Sequence, residues 1–341
     1  MKLYEITIRP DGWFGTPLKG DTIFGHFCWQ AAYDPGLLNG GLDKWIAQYP
    51  ERPFAVFSSA WPRLSDASSR YAVRKPDIPI SFLFPASKSI GRCKQMKERK
   101  EKAKLKWMLL ADNLSMTLEH AVYKTDGELA GLAIGKLASR HRQEIPTTYT
   151  RDFDQQHNTI NRTTMTTGLG IFAPYEQSGT CFIHDAELAL FILIDEEATD
   201  IERVRKGIER IGKTGFGRDA STGGGRFLVC GFKEIAFPSA KTPNACYVLS
   251  PVVPEKGAYA ASYFTPFVRF GKHGDTLARS TNPFKNPVIM ADEGAVFMPK
   301  GNNAFAKPYI GQAITGVSKC DERTIVQGYA LYLPFTLELE R

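Results

Sequence analysis

Apolar and polar residues alternate from the start of the chain. Tyr4, Ile6 and Ile8 share one face of residues 3–9, and Glu5, Thr7 and Arg9 share the other, which is the period of a strand. After the turn DGWFGTPLKGD the period lengthens. Ile23, Phe24, Phe27 and Ala31 then fall on one helical face, with Asp21 as the expected N-cap. LDKWIAQY repeats the helical spacing with Leu42, Trp45, Ile46 and Tyr49. PFAVFSS and PISFLFP are apolar, bounded by Pro, and read as short strands. A Lys-rich segment at 88–106 follows and is expected to continue as one helix into WMLLADNL. Residues 136–170 are polar and rich in Thr, Arg and Asn. A stretch of that length without apolar periodicity is expected to be a functional arm or loop. GIFAPYE, TCFIHD and ELALFILID then read as strands. Asp200 caps a helix in which Ile201, Val204, Ile208 and Ile211 are in register. A glycine-rich stretch and the strand RFLVCGF complete this half.

The opening strand–helix–strand order is thus echoed by strand–helix–glycine loop–strand near residue 235. That order fits an α+β, ferredoxin-like or RRM-type sheet with insertions. It suggests an N-terminal domain over 1–236. Residues 237–341 carry Pro- and Gly-punctuated strands, ACYVLSPVV, SYFTPFVRF and IVQGYALYLPFTLEL. They suggest a second domain, β-rich or itself ferredoxin-like.

Composition adds little to this outline, but charge does. The 341 residues are 43% hydrophobic, as a globular chain requires. No apolar run is long enough to span a membrane, and MKLYEITIRP lacks the apolar core of a signal peptide. A cytoplasmic protein with reduced, mostly buried thiols is expected, since the six Cys form no CxxC pair. Net charge is +7, and residues 88–106 alone carry nine Lys/Arg against two Glu, which accounts for all of it. This segment reads equally as an electrostatic footprint for nucleic acid or as a solvated Lys-rich helix.

The stretch GKTGFGRDASTGGGRF at 212–227 holds six Gly and three cations. Its first residues complete the letters of a phosphate-binding P-loop, Gly207 to Thr214. The chemistry of that loop needs a strand before it and a helix beginning at its Lys-Ser/Thr, so that helix N-terminal amides meet phosphate. Here a helix comes first and glycines follow, so nucleotide binding is set aside. An RNA-backbone cradle fits better than a flexible surface loop. Gly215, Gly217, Gly223, Gly224 and Gly225 would let amides approach phosphate or ribose. Lys213, Arg218 and Arg226 would add charge, and Ser221 and Thr222 hydroxyl donors.

No HExxH, no His/Cys metal spacing, no GxSxG and no concentration of paired acids occurs, so no metal site, no cofactor and no catalytic centre are expected. His26, early in the first helix and near Lys19-Gly20, is the one residue placed to act as a general base on a ribose 2′-OH. A metal-independent RNA-processing ribonuclease using His26 is therefore the alternative to a binding protein. Asn158, Asn161 and Arg162, with Arg140 and Arg142 upstream, suit the ribose, phosphate and base edges of single-stranded RNA.

Four stretches combine into a resemblance. TPLKGDTIFGHFCW at 16–29, HNTINRTTMTTGLGIFAPYE at 157–176, the glycine-rich stretch and QGYALYLPF at 327–335 resemble the RAMP proteins of CRISPR effector complexes. They are most similar to the fourth subunit of type III-A (Csm) complexes. The resemblance implies two ferredoxin-like domains and a non-catalytic subunit of a prokaryotic antiviral complex. It implies binding of the repeat-derived 5′ handle of the crRNA, docking to a large Cas10-type subunit and to a backbone RAMP subunit, and only indirect contact with target RNA. It also implies a β-hairpin thumb, for which residues 136–165 are the natural place, and a handle-facing role for Lys19, Gly20, Asp21 and the loop at 213–226.

Overall fold

A computed structural model describes residues 1–64, 70–84, 92–141 and 146–338. The chain opens with β1 (Lys2–Pro10), α1 (Gly20–Tyr33), a short α2 (Leu42–Gln48) and β2 (Ala55–Arg63). Next come β3 (Tyr71–Arg74), the single turn α3 (Ile80–Leu83), α4 (Arg92–Ala103), β4 (Trp107–Leu110), β5 (Tyr123–Lys124) and α5 (Asp126–His141). A hairpin of β6 (Thr150–His157) and β7 (Tyr175–Phe182) precedes β8 (Glu187–Ile194), α6 (Ile201–Thr214) and β9 (Phe227–Ile235).

Seven of these strands form one antiparallel sheet in the order β5-β4-β3-β2-β8-β1-β9. Its inner part, β2-β8-β1-β9, with α1 after β1 and α6 after β8, is the βαββαβ unit of a ferredoxin-like fold. Strands β3 to β5 extend the sheet, and the β6–β7 hairpin is a second insertion in the same connection. Gly207 lets α6 close on α1, because a Cβ there would lie 2.6 Å from the Phe27 ring. Ile6, Ile8, Phe24, Phe27, Phe57, Phe191, Ile208 and Ile211 are buried in the resulting core. The polar face of β1 is also covered. Glu5, fully buried, accepts from Arg63 Nε at 2.9 Å and Tyr71 OH at 2.6 Å, and pairs with Lys233 at 3.3 Å.

The remaining strands are β10 (Ala245–Val248), β11 (Tyr259–Tyr263), β12 (Pro266–Arg269), β13 (Val288–Ala291), β14 (Val296–Pro299), β15 (Tyr309–Gly311) and β16 (Tyr329–Phe335). Five make a sheet in the order β11-β14-β10-β16-β15, and β12 and β13 form a two-stranded ribbon. Among the described residues after 237 there is no α-helix, so this part is β-rich and does not repeat the βαββαβ unit. The two parts share a core in which Leu331, Leu333 and Phe335 join the residues of β2 and β8. A bulge in β2 between Phe57 and Ala60 frees backbone groups for the junction. The buried Gln327 side chain accepts from Phe57 N–H at 3.0 Å and donates to its carbonyl at 2.8 Å, and Ser59 N–H donates to Leu249 at 2.9 Å.

Several local expectations are corrected. PISFLFP, expected as a strand, forms the helical turn α3. The basic helix ends at Ala103, and Trp107–Leu110, expected to continue it, is a strand paired to β3. Residues 126–141 are helical, and the hairpin lies at 150–182, so the expected thumb at 136–165 contains only one of its two strands. SYFTPFVRF is split between β11 and β12, which belong to different sheets. In α1 the N-cap position falls on Lys19, and Asp21 lies inside the helix. Of the described cysteines, Cys246 is buried, Cys230 is exposed and Cys28, Cys181 and Cys320 are half-buried.

Candidate nucleic-acid interface

The glycine-rich loop closes on the protein's own backbone. Gly215 ends α6 with φ +102° and donates to Ile211 at 2.8 Å. The buried Phe216 then donates to Gly225 at 2.9 Å, and Gly225 donates to Trp13 at 2.7 Å. Gly217, at φ +74°, lies so close to Thr16 that a Cβ would come within 2.5 Å of it. A Cβ on Gly224 would lie 3.0 Å from the Trp13 ring. These four glycines are required by protein contacts. Gly223 differs, with φ +99° and open space where a side chain would be. Ser221 and Thr222 are exposed beside it, although the Thr222 hydroxyl donates to Asp219 at 3.0 Å.

The loop's cations divide in the same way. Arg218 donates to both Ser178 oxygens on β7, pairs with Asp219 at 3.2 Å, and donates through its backbone to Thr16 Oγ1 at 2.9 Å. Arg226 donates to the Lys213 carbonyl. Lys213 is exposed and, among the described residues, has no acidic partner. Trp13 ties the loop to the hairpin. Its ring meets Phe153 edge-on at 5.7 Å, and a Cβ on Gly179 would strike it at 2.7 Å. Loop and hairpin base are therefore held as one unit.

The Lys19-Gly20-Asp21 turn, expected to face RNA, is a junction inside the chain. Lys19 pairs with Asp292 and, at 3.2 Å, with Glu293, and its ammonium sits 4.5 Å over the Phe267 ring. Burial outweighs Lys19 and raises the Glu293 carboxyl above the usual range. Asp21 is buried and accepts both Arg269 Nε at 2.6 Å and Nη2 at 2.8 Å. Gly20 lets α1 reach β2, since a Cβ would lie 2.2 Å from the Phe57 carbonyl.

His26 holds the loop. Its Nε2 accepts the Gly217 N–H at 3.1 Å, so the proton of the neutral ring is on Nδ1, and the ring lies 4.7 Å from Phe216. Burial, with a smaller push from the Lys285 ammonium, lowers its pKa to about 4. A general base for a ribose needs a free ring nitrogen, and Nε2 is already occupied. The lowered pKa means that neutral His26 stabilises the fold above pH 6.5 and that this contribution is lost as pH falls toward 4. The expected loss is on the order of 2 kcal/mol. Urea melts at pH 7 and pH 4.5 should show it, and His26→Gln should reduce the difference; an unchanged difference would remove His26 as its source.

On the hairpin, Asn158 and Arg162 are exposed, and Arg162 has no ion partner among the described residues. Asn161 shapes the tip, accepting from Thr163 N–H at 2.9 Å and bridging to Thr166. The tip is more apolar than its sequence suggested. Leu169 and Ile171 are 94% and 83% exposed, with Ile160 and Met165 beside them. Arg140 lies in α5, away from the hairpin strands in sequence, and Arg142 lies outside the described residues. Helix α4, which carries much of the positive excess, has no buried residue among its described side chains, as a solvated helix would. Sequence reading missed a second loop of glycines and cations, Phe270 to Asp275, which follows β12 and lines, with Gly217 and Arg218 of the first loop, one groove beside α1. Its signal, FGKHGD, was legible but fell inside what read as a strand-rich tail.

No protein-family model and no curated protein matches this chain. Solved structures do. A chain of a Csm1–Csm4 cassette in complex with pppApA superposes with a TM-score of 0.55 over 100% of this chain and 99% of its own, at 16% identity. A chain of the Csm3–Csm4 subcomplex of a type III-A CRISPR-Cas interference complex does so with a TM-score of 0.55, over 98% and 100%, at 13% identity. The fold is that of a Csm4-like RAMP protein. Within the Csm4-like fold, loop and hairpin stem from the two places where the βαββαβ unit is interrupted, after α6 and between β2 and β8. Among the described residues, no three His, Cys, Asp or Glu side chains converge where a metal could sit. No helix among them is long and apolar enough to cross a membrane.

Proposed function

We propose that this chain is a non-catalytic, RNA-binding subunit of a type III CRISPR effector complex. It holds the repeat-derived 5′ handle of the crRNA and docks a large Cas10-type subunit, as Csm1, and a backbone RAMP subunit, as Csm3. Target RNA meets it only through the assembled complex. The observation that carries this reading is the end-to-end fold likeness to chains of Csm1–Csm4 and Csm3–Csm4 assemblies. Two features of the surface support it. Lys213, Ser221 and the open Gly223 offer a cation, a hydroxyl and an unobstructed backbone on one loop. The β6–β7 hairpin, with Arg162 and an apolar tip, would serve as the thumb. His26 serves as a loop-positioning residue, which supports binding over RNA cleavage.

Co-expression with Csm1- and Csm3-type subunits and a CRISPR array tests the reading. The expected result is one complex containing both partners and RNA with an intact repeat-derived 5′ end. Pure protein incubated with repeat RNA in EDTA should leave it uncut. Cutting that disappears in His26→Ala would replace this reading with the ribonuclease.

A further inference from the structure

A groove separates α1 from the ribbon β12–β13. Thr22, Gly25, His26 and Trp29 line one wall, at the i, i+3, i+4, i+7 spacing of a single helix face. The loop after β12 lines the other, and the glycine-rich loop closes one end. The space measures about 490 Å³, within the range of small-molecule sites and large enough for one nucleotide.

Its charge is one-sided. Arg218, Arg269, Lys272 and Lys285 reach the groove, against one carboxylate, Asp21, which Arg269 already occupies. Among the described residues, neither Lys272 nor Lys285 forms an ion pair, and the one carboxylate that acts on Lys285, Asp21, is already held by Arg269. Lys272 lies 5.8 Å over the Phe284 ring, and burial holds the Lys285 ammonium below the usual lysine range. An ammonium so placed gains from an arriving anion. Aromatic surface flanks these cations. Phe270 and Phe284 are 73% and 64% exposed at the end of the ribbon, and the cross-strand pair Val268–Ile289 extends the apolar strip at 47% and 70% exposure. Two glycines shape the rim. A Cβ on Gly274 would lie 2.9 Å from Trp29 Nε1, and one on Gly271 would lie 3.2 Å from Lys285 Cδ. Unpaired cations beside exposed rings are what a single strand needs, because phosphates take the charge and bases take the ring faces. A protein partner would leave Lys272 and Lys285 unanswered unless it supplied acids.

We infer that this groove is a nucleotide subsite for single-stranded RNA, with Lys272 and Lys285 on consecutive phosphates and Phe270 stacking a base. The inference rests on the RNA-binding reading above and moves the main RNA contacts away from Lys19 and Asp21 to residues more than 240 positions later in the chain.

Fluorescence anisotropy with a labelled single-stranded RNA bearing the repeat-derived 5′ segment tests it, on the full chain. Lys272→Ala with Lys285→Met should raise Kd at least 10-fold and reduce the slope of log K against log salt by about 1.4, the value for two phosphates on a single strand. Phe270→Ala should raise Kd about 5- to 150-fold with the slope unchanged. Unlabelled AMP should not compete at concentrations where the RNA does; equal competition would make this a free-nucleotide site and overturn the inference. If wild-type protein binds no RNA, the functional reading falls and the groove with it. If it binds and the variants bind equally, only the groove falls. Should a variant fail to fold, 4-thiouridine in the 5′ segment decides on wild-type protein: crosslinks to residues 270–285 or to Trp29 support the subsite, and crosslinks confined elsewhere overturn it.

Discussion

Replacing Asp21 by Ala is expected to cost about 3–5 kcal/mol of stability. Asp21 is 3% exposed and accepts two hydrogen bonds from the Arg269 guanidinium, which joins helix α1 to the β12–β13 ribbon. The value of the pair is not the point, since desolvation offsets most of the attraction between two buried charges. The cost comes from removing one partner. Arg269 would be left one-fifth exposed, with the Phe267 ring at 5.1 Å and no anion. Urea denaturation read by tryptophan fluorescence measures the loss. Asp21→Leu combined with Arg269→Met should recover most of it, because an apolar pair of similar volume has no charge to desolvate. A loss below about 1 kcal/mol in Asp21→Ala would mean the pair behaves as a solvated surface bridge.

The same residue shows where sequence reading stops. Asp21 before TIFGHF has the form of an N-cap, and local rules favour that role. Its partner lies 248 positions later, and Lys19 finds Asp292 273 positions later. Nothing within a helical window reports such contacts. What was legible was the order of elements with strong periodicity, β1, α1, α2, β8, α6 and β9. These elements build the βαββαβ unit that places the glycine loop. The misassigned pieces were short and apolar. PISFLFP and WMLLADNL hold too few residues for period to separate helix from strand, and pairing with β3 decided the second. SYFTPFVRF reads as one strand, yet a break at Phe264 and Thr265 sends the two halves to different sheets. Lys19 and Asp21 were recognised by type, but their assignment depended on the fold, and Arg269, Lys272 and Lys285 were not singled out at all. Lys19 and Asp21 are consumed at the junction, whereas Lys272 and Lys285 form no ion pair among the described residues.

The glycines of the loop answer differently to one added methyl group, and the contrast separates architecture from RNA contact. In Gly225→Ala the new Cβ would lie 2.1 Å from the Phe216 carbonyl oxygen and 2.4 Å from its nitrogen, at φ +71°. Both neighbours are backbone, so rotamer changes cannot relieve the contact. Left-handed strain costs about 1–2 kcal/mol, and the forced backbone shift adds about 1–3 kcal/mol. A loss of about 2–5 kcal/mol is expected, with the Trp13 contact to the hairpin lost as well. Gly223→Ala carries the same kind of strain, at φ +99°, but meets nothing within 4 Å. It should cost only about 1–2 kcal/mol and leave the fold intact. If RNA backbone passes over this part of the loop, its methyl group will weaken RNA binding in a protein that melts almost normally. Thermal melts and anisotropy on the two variants give both readouts. Gly225→Ala melting like wild type would show that the loop's closure on Phe216 is not required. Equal RNA affinity in Gly223→Ala would confine the RNA path to the hairpin and the groove, and would leave the glycine-rich stretch as the hinge-free bracket that holds them in place.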